Sequence, residues 1–159
     1  MTTDHERRDL ADIEALTIEF WYRVDHQNGV GVADLFTEDG VYSVANGQSA
    51  GRSAIAESYV QRAARGPRLS RHMQTNLRVT FQSPSSARGL SILTLWADDG
   101  EAPLDLKMPI SVTDVEDEYV KESEGVWLIR HRHLSQVFLG DRPGVLPMGS
   151  SKEPRQGGR

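Results

Sequence analysis

The chain has 159 residues, 38% of them apolar, which suits one domain with a single core. No run approaches the roughly 20 apolar residues that span a bilayer, and there is no cysteine, which excludes disulfides, thiolate nucleophiles and cysteine-bound zinc. Eighteen Lys and Arg against 23 Asp and Glu give a net charge of −5, which argues against nucleic acid as the partner, because phosphate neutralisation needs a basic face.

The start, Met1-Thr2-Thr3-Asp4-His5-Glu6, is polar and has no basic stretch leading into an apolar one, so it does not read as a secretory signal. A cysteine-free chain of this kind is expected in the cytoplasm. Leu10, Ile13, Leu16 or Thr17, Phe20 and Val24 recur at helical spacing and predict a first amphipathic helix over residues 4–26. Gln27-Asn28-Gly29 stops it. A short second helix is expected over 30–36, then a turn at Thr37-Glu38-Asp39-Gly40. Val41-Tyr42-Ser43-Val44 alternates as a strand, and Asn46-Gly47 signals a hairpin. Gly51-Arg52-Ser53 opens a third helix with Ile55, Tyr59 and Ala63 on one side, and Gly66-Pro67 closes it.

The remainder reads as strands. Leu77, Val79 and Phe81 alternate within 72–82, and Ser83-Pro84-Ser85-Ser86 turns the chain. A β-rich stretch runs over 87–96 to the break at Asp98-Asp99-Gly100. Leu104, Leu106, Met108, Ile110 and Val112 alternate as one long strand, with Pro109 marking an edge, bulge or bend. The last strand is expected over 125–138. Helices first and strands in hairpin succession afterwards predict an α+β fold with an antiparallel sheet. Residues 1–140 form the expected domain. Residues 141–159 form a C-terminal tail, mobile beyond Met148, whose Val145, Leu146 and Met148 are suited to docking on the body.

Five stretches together resemble the SnoaL-like family of the NTF2-like superfamily, near its scytalone dehydratase and lindane dehydrochlorinase members. They are Trp21-Tyr22-Arg23-Val24-Asp25, Leu35-Phe36-Thr37-Glu38-Asp39-Gly40-Val41-Tyr42, Gly51-Arg52-Ser53-Ala54-Ile55, Arg71-His72-Met73-Gln74-Thr75-Asn76 and Gly125-Val126-Trp127-Leu128-Ile129-Arg130. The resemblance implies a cone-shaped barrel, in which a curved sheet wraps a pocket closed by the N-terminal helices. The fold hosts dehydratases, isomerases, cyclases, hydrolases and non-catalytic modules, so it leaves the reaction open.

Asp25 sits near the end of the first helix, where the helix dipole disfavours a carboxylate, and its neighbours one and two turns back are Ile18, Trp21 and Tyr22. Such a group calls for a cationic or hydrogen-bonding partner. The resemblance implies that His72 is that partner, a general base oriented by Asp25. Arg132, five residues after Trp127, is implied as a stabiliser of negative charge. Strand alternation sets a condition: with Arg132 inward, His131 and His133 face outward unless a bulge intervenes. His131 and His133, at i and i+2, have metal-chelating spacing, but no familiar metal motif surrounds them, and neither metal nor cofactor is expected. Tyr42 is the better-placed phenol for a substrate oxygen, with Tyr22 offset from the matching position. Trp21, Asn76, Trp96 and Met108 are further candidates for substrate contact, with Phe20 and Leu93 as wall or core.

The chain lacks the Arg-x-Asp strand of limonene epoxide hydrolase and the tyrosine–aspartate spacing of ketosteroid isomerase. It also lacks G-x-G-x-x-G and P-loop motifs. Two functions are therefore expected. One is a cofactor-independent lyase or isomerase acting on a small, mostly apolar polyketide, aromatic or alicyclic substrate. The other is a non-catalytic ligand-binding or assembly module, as in ring-hydroxylating dioxygenase small subunits. An outer sheet face left to cover predicts a homodimer or homotrimer.

Overall fold

A computed structural model of the chain describes residues 4–44 and 47–140. Helix α1 (Asp4–His26) leads through a 3-10 turn (Val32–Leu35) into strands β1 (Phe36–Val44) and β2 (Gly47–Ala50). Helix α2 (Arg52–Ala63) follows, then β3 (Arg68–Ser83), β4 (Ser86–Asp99), β5 (Ser111–Lys121) and β6 (Trp127–Leu139). The six strands form one curved sheet in the order β2-β1-β6-β5-β4-β3. The fold is α+β, as expected, but the sheet is not closed into a barrel, and β2 and β3 are its edges.

All neighbouring strands are antiparallel except β1 and β6, which run parallel. The expectation of a purely antiparallel sheet rests on hairpins. Nearly the whole chain lies between β1 and β6, so no hairpin fixes their mutual direction.

Helix α1 lies across the inner face of the sheet. Ile13, Phe20 and Val24 are at most 4% exposed, and with Leu16 they pack against Tyr42, Leu93, Val115, Tyr119 and Ile129. Each such side chain contributes about 1.5–3 kcal/mol on full burial. Phe20 is the hub, edge-on to Phe36 at 6.0 Å and to Tyr42 at 5.8 Å between ring centroids. The N-terminal half of α1 is pinned by Asp9, which accepts from Lys121 Nζ at 2.5 Å and from Trp127 Nε1 at 3.0 Å. Gly29 ends the helix region with φ +80°, and a Cβ there would lie 2.1 Å from the Tyr59 ring. Only glycine satisfies both the left-handed backbone and that contact.

Three segments differ from the sequence-based expectation. The helix expected over 30–36 is only the 3-10 turn Val32–Leu35. Positive φ at Gly29 and Gly31 leaves no room for a full α-turn. The turn expected at Thr37-Glu38-Asp39-Gly40 lies inside β1, as the irregular stretch between Phe36 and Val41. Gly40 permits it, since a Cβ there would meet Phe36 Cβ at 2.8 Å. The strand expected from Leu104 begins only at Ser111. Proline cannot donate to a ladder, and the pairing resumes one residue after Pro109, where Ile110 N–H donates to the Leu95 carbonyl at 2.7 Å. The alternating Leu106 and Met108 are 92% and 77% exposed. The tail and the Asn46 position fall outside the described residues. Among the described residues no helix is long and apolar enough to cross a membrane.

Candidate active site

Where the last turns of α1 cross the start of β3, Asp25 and His72 meet. Asp25 Oδ1 accepts from His72 Nδ1 at 2.6 Å and from Ser70 Oγ at 2.7 Å. Asp25 Oδ2 accepts the backbone N–H of His72 at 2.8 Å. One carboxylate therefore holds both the ring and the strand that carries it. The side chains of His72 and Asp25 are 10% and 7% exposed.

The tautomer follows from the chemistry. A carboxylate only accepts, so Nδ1 carries the proton and Nε2 is left with a free lone pair. Burial pushes the His72 pKa down, and Arg62 and Arg68 push the same way. Asp25 opposes them, and the net is a value below that of an ordinary histidine. Burial pushes the Asp25 carboxyl up, but hydrogen bonds from His72 and Ser70 and the nearby imidazole outweigh it and hold it below the ordinary carboxylate value. The pair rests as a carboxylate beside a neutral imidazole.

The imidazole plane is fixed from its flank. Trp21, one turn before Asp25, stacks on His72 with ring centroids 4.4 Å apart and planes within 13°. The indole is held in turn, because Trp21 Nε1 donates to Gln74 Oε1 at 2.7 Å and Gln74 Nε2 donates to Ser91 Oγ at 2.7 Å.

His72 and Trp21 form part of the wall of an interior cavity of about 70 Å³, with Tyr42, Tyr59, Ser70 and Leu93 also on the wall. Arg62, Ser111, Thr113 and Gln136 add polar groups, while Val24, Val44 and Leu95 keep much of the lining apolar. Burial pushes the Tyr42 and Tyr59 phenols above the ordinary tyrosine value, so both stay protonated. His72, Trp21 and Asp25 also border an open groove between α1 and the β3 edge.

Arg132 is fully buried but is not on the cavity wall. Its Nε and one terminal nitrogen donate to the two oxygens of Asp117, both at 2.8 Å, and Tyr119 donates to the same carboxylate at 2.6 Å. Burial opposes its charge, but Asp117 outweighs burial and raises its pKa above that of an ordinary arginine. The guanidinium lies 4.1 Å from the centroid of the Phe20 ring and 5.3 Å from that of Trp21. It supports those rings from behind. Among the described residues its other terminal nitrogen, also buried, has no hydrogen-bond partner.

The alternation condition on β6 holds over residues 131–133, and a bulge lies just before them. Glu118 pairs with His131 and Tyr119 with Ile129, which leaves Arg130 as an extra residue. Ile129 and Arg132 thus both reach the interior. His131 and His133 lie on the other face, where the Ser43 hydroxyl is 2.9 Å from His131 Nε2 and 2.8 Å from His133 Nδ1.

The remaining candidates lie elsewhere. Tyr22 is 49% exposed, tilted against the His26 ring, and borders the open groove rather than the cavity. Asn76 is exposed at a bulge of β3 with φ 56°. Trp96 points to the opposite face from His72 and donates to the Lys107 carbonyl at 3.0 Å. Met108 lies in the exposed segment before β5, away from the dyad. Sequence reasoning missed Arg62, Ser70, Gln74 and Ser91. Period-2 spacing about His72 marks Ser70 and Gln74, and helical spacing from Ile55 and Tyr59 marks Arg62.

A family model described as a SnoaL-like domain matches residues 5–133. The chain belongs to the SnoaL-like family. No curated protein matches it. Among solved structures, this SnoaL-like chain is similar to Rv3472 of Mycobacterium tuberculosis, a protein of unknown function. That match has 26% identity and a TM-score of 0.72, covering 86% of this chain and 76% of the other. It is also similar to a protein assigned as a scytalone dehydratase from Novosphingobium aromaticivorans, at 22% identity and TM-score 0.76, covering 94% and 99%. LinA matches at 19% identity and TM-score 0.71, covering 91% and 97%. At these identities the latter two share the fold.

Proposed function

We propose that this chain is a cofactor-independent lyase or isomerase, with His72 as general base and Asp25 as its orienting carboxylate. The observation that carries the reading is the 2.6 Å contact of His72 Nδ1 with Asp25 at the wall of a cavity. Fold neighbours that include a protein assigned as a scytalone dehydratase support it.

In the elimination form of the reaction, His72 Nε2 takes a proton from carbon next to a carbonyl. The C–H electron pair becomes the new C=C bond, and a β-hydroxyl leaves as water, taking its proton from the imidazolium. In the isomerisation form the proton returns to another carbon. Asp25 stabilises the imidazolium in both, which is worth the typical 10²–10⁴-fold of general acid–base catalysis. The Tyr42 hydroxyl on the same wall is the donor for negative charge developing on the carbonyl oxygen. Arg132 is assigned to holding Phe20 and Trp21, since it lies off the cavity wall and Asp117 takes its Nε and one terminal nitrogen.

The substrate is a small aromatic or alicyclic ketone with a leaving group β to the carbonyl. The test is a panel of such ketones, followed by the rise of enone absorbance. His72→Ala and Asp25→Asn are each expected to lower turnover at least a hundredfold. Turnover unchanged in both variants would remove the assignment.

A further inference from the structure

Among the described residues, Arg62 is a buried cation with no paired anion. It is 8% exposed and lies on the cavity wall that His72 shares. Among the described residues it makes no ion pair; its hydrogen bond goes to the neutral Ser70 hydroxyl at 3.2 Å. The other arginines of the interior differ in this respect. Arg132 is held by both oxygens of Asp117, and Arg68 meets Asp99 at 2.7 Å. Asp25 acts on Arg62 only across Ser70, whose hydroxyl donates to Asp25 and accepts from Arg62. That carboxylate already receives His72 Nδ1 and the His72 amide.

A guanidinium removed from water costs several kcal/mol unless a counter-charge and hydrogen bonds replace its hydration. Burial accordingly pulls the Arg62 pKa down from the ordinary arginine value, although the group remains charged. A permanent anion entering the cavity would meet this cation within a largely apolar shell, where an ion pair is strongest and a two-pronged fit is available. A cavity of about 70 Å³ exceeds the roughly 10–15 Å³ that one water requires, so it admits a carboxylate on a short carbon chain.

We propose that Arg62 is the carboxylate-binding residue of this cavity, so that the substrate carries a carboxylate that Arg62 holds while His72 faces its reacting carbon. This rests on the base assigned above and narrows the substrate class from a mostly apolar ketone to a keto acid. Arg62 fixes the substrate's charged end, Tyr42 and Tyr59 share the wall, and His72 Nε2 addresses the C–H bond. Arg62 thereby takes the anion-binding part that the sequence alone suggests for Arg132.

The test uses propionate and its neutral isostere propionamide as probes of the whole protein, followed by NMR of the Arg62 Nε–H and the His72 imidazole. Propionate is expected to shift both groups saturably and to bind at least tenfold tighter than propionamide. Arg62→Gln is expected to abolish that preference and Arg62→Lys to keep most of it. If Arg62→Gln does not fold, the wild-type preference and the Arg62→Lys result decide. Equal binding of the two probes, absence of saturable binding, or full propionate affinity in Arg62→Gln would overturn the proposal. Because binding requires no proton transfer, His72→Ala should keep the propionate preference. A failed propionate test beside a turnover loss in His72→Ala would therefore remove the carboxylate and leave the base.

Discussion

Asp25 and His72 are joined twice, ring to carboxylate at 2.6 Å and backbone amide to carboxylate at 2.8 Å. The consequence is an imidazole whose tautomer, orientation and strand position all depend on one side chain.

Removing that charge should move the His72 titration. Asp25 raises the His72 pKa against the effect of burial. In Asp25→Asn the imidazole is expected to titrate lower than in the wild type. Two-dimensional NMR of the ring across pH checks this without any substrate. A rise, or no change, would mean that the carboxylate does not govern the ring.

The pH dependence of stability follows from the same two groups. His72 has a folded pKa below its unfolded value of about 6.5, so the unfolded chain binds the proton more readily. Its contribution is complete above that unfolded value and is lost as pH falls from there through the folded pKa. Asp25 is also depressed, so its contribution is present above about 3.8 and is lost as pH falls through its own folded pKa. Urea unfolding should show stability declining in two steps on acidification, and His72→Ala should flatten the upper one.

The tryptophan beside the base gives a graded series. Trp21→Phe keeps an aromatic face but loses the 2.7 Å bond to Gln74, so a loss of about 0.5–1.5 kcal/mol is expected. Trp21→Ala also loses the stacking and the core packing, and about 3–5 kcal/mol is expected. Gln74→Leu should resemble Trp21→Phe, with Trp21 fluorescence reporting the freed indole.

The buried Arg132–Asp117 pair calls for a double-mutant cycle. Asp117→Leu alone leaves a fully buried guanidinium uncompensated and is expected to cost about 3–5 kcal/mol. Asp117→Leu combined with Arg132→Met should recover much of that loss, since apolar residues of similar volume often replace such pairs without penalty. Denaturant midpoints of the four proteins measure the coupling.

The two α-helices and most strands could be read from local patterns in the sequence, and the meeting of Asp25 with His72 from the family resemblance. Leu104, Leu106 and Met108 mislead because alternation is necessary for a strand but Pro109 removes the donor the ladder requires. Arg130 is invisible for a related reason: a bulge shifts the alternation by one, and no residue type marks it. Arg62 escapes because a lone arginine on a helix ordinarily faces water, and only the helical phase set by Ile55 and Tyr59 turns it inward. Trp96 is misplaced because its residue type suits a pocket wall, while its register opposite Arg71 turns it to the other face.

The double hold on His72 also assigns where slow steps belong. An imidazole tied by its ring and by its own peptide group cannot swing aside to admit a guest without the β3 edge giving way. Entry and exit must therefore be timed by other parts of the wall, and variants that change release rates should cluster away from the dyad.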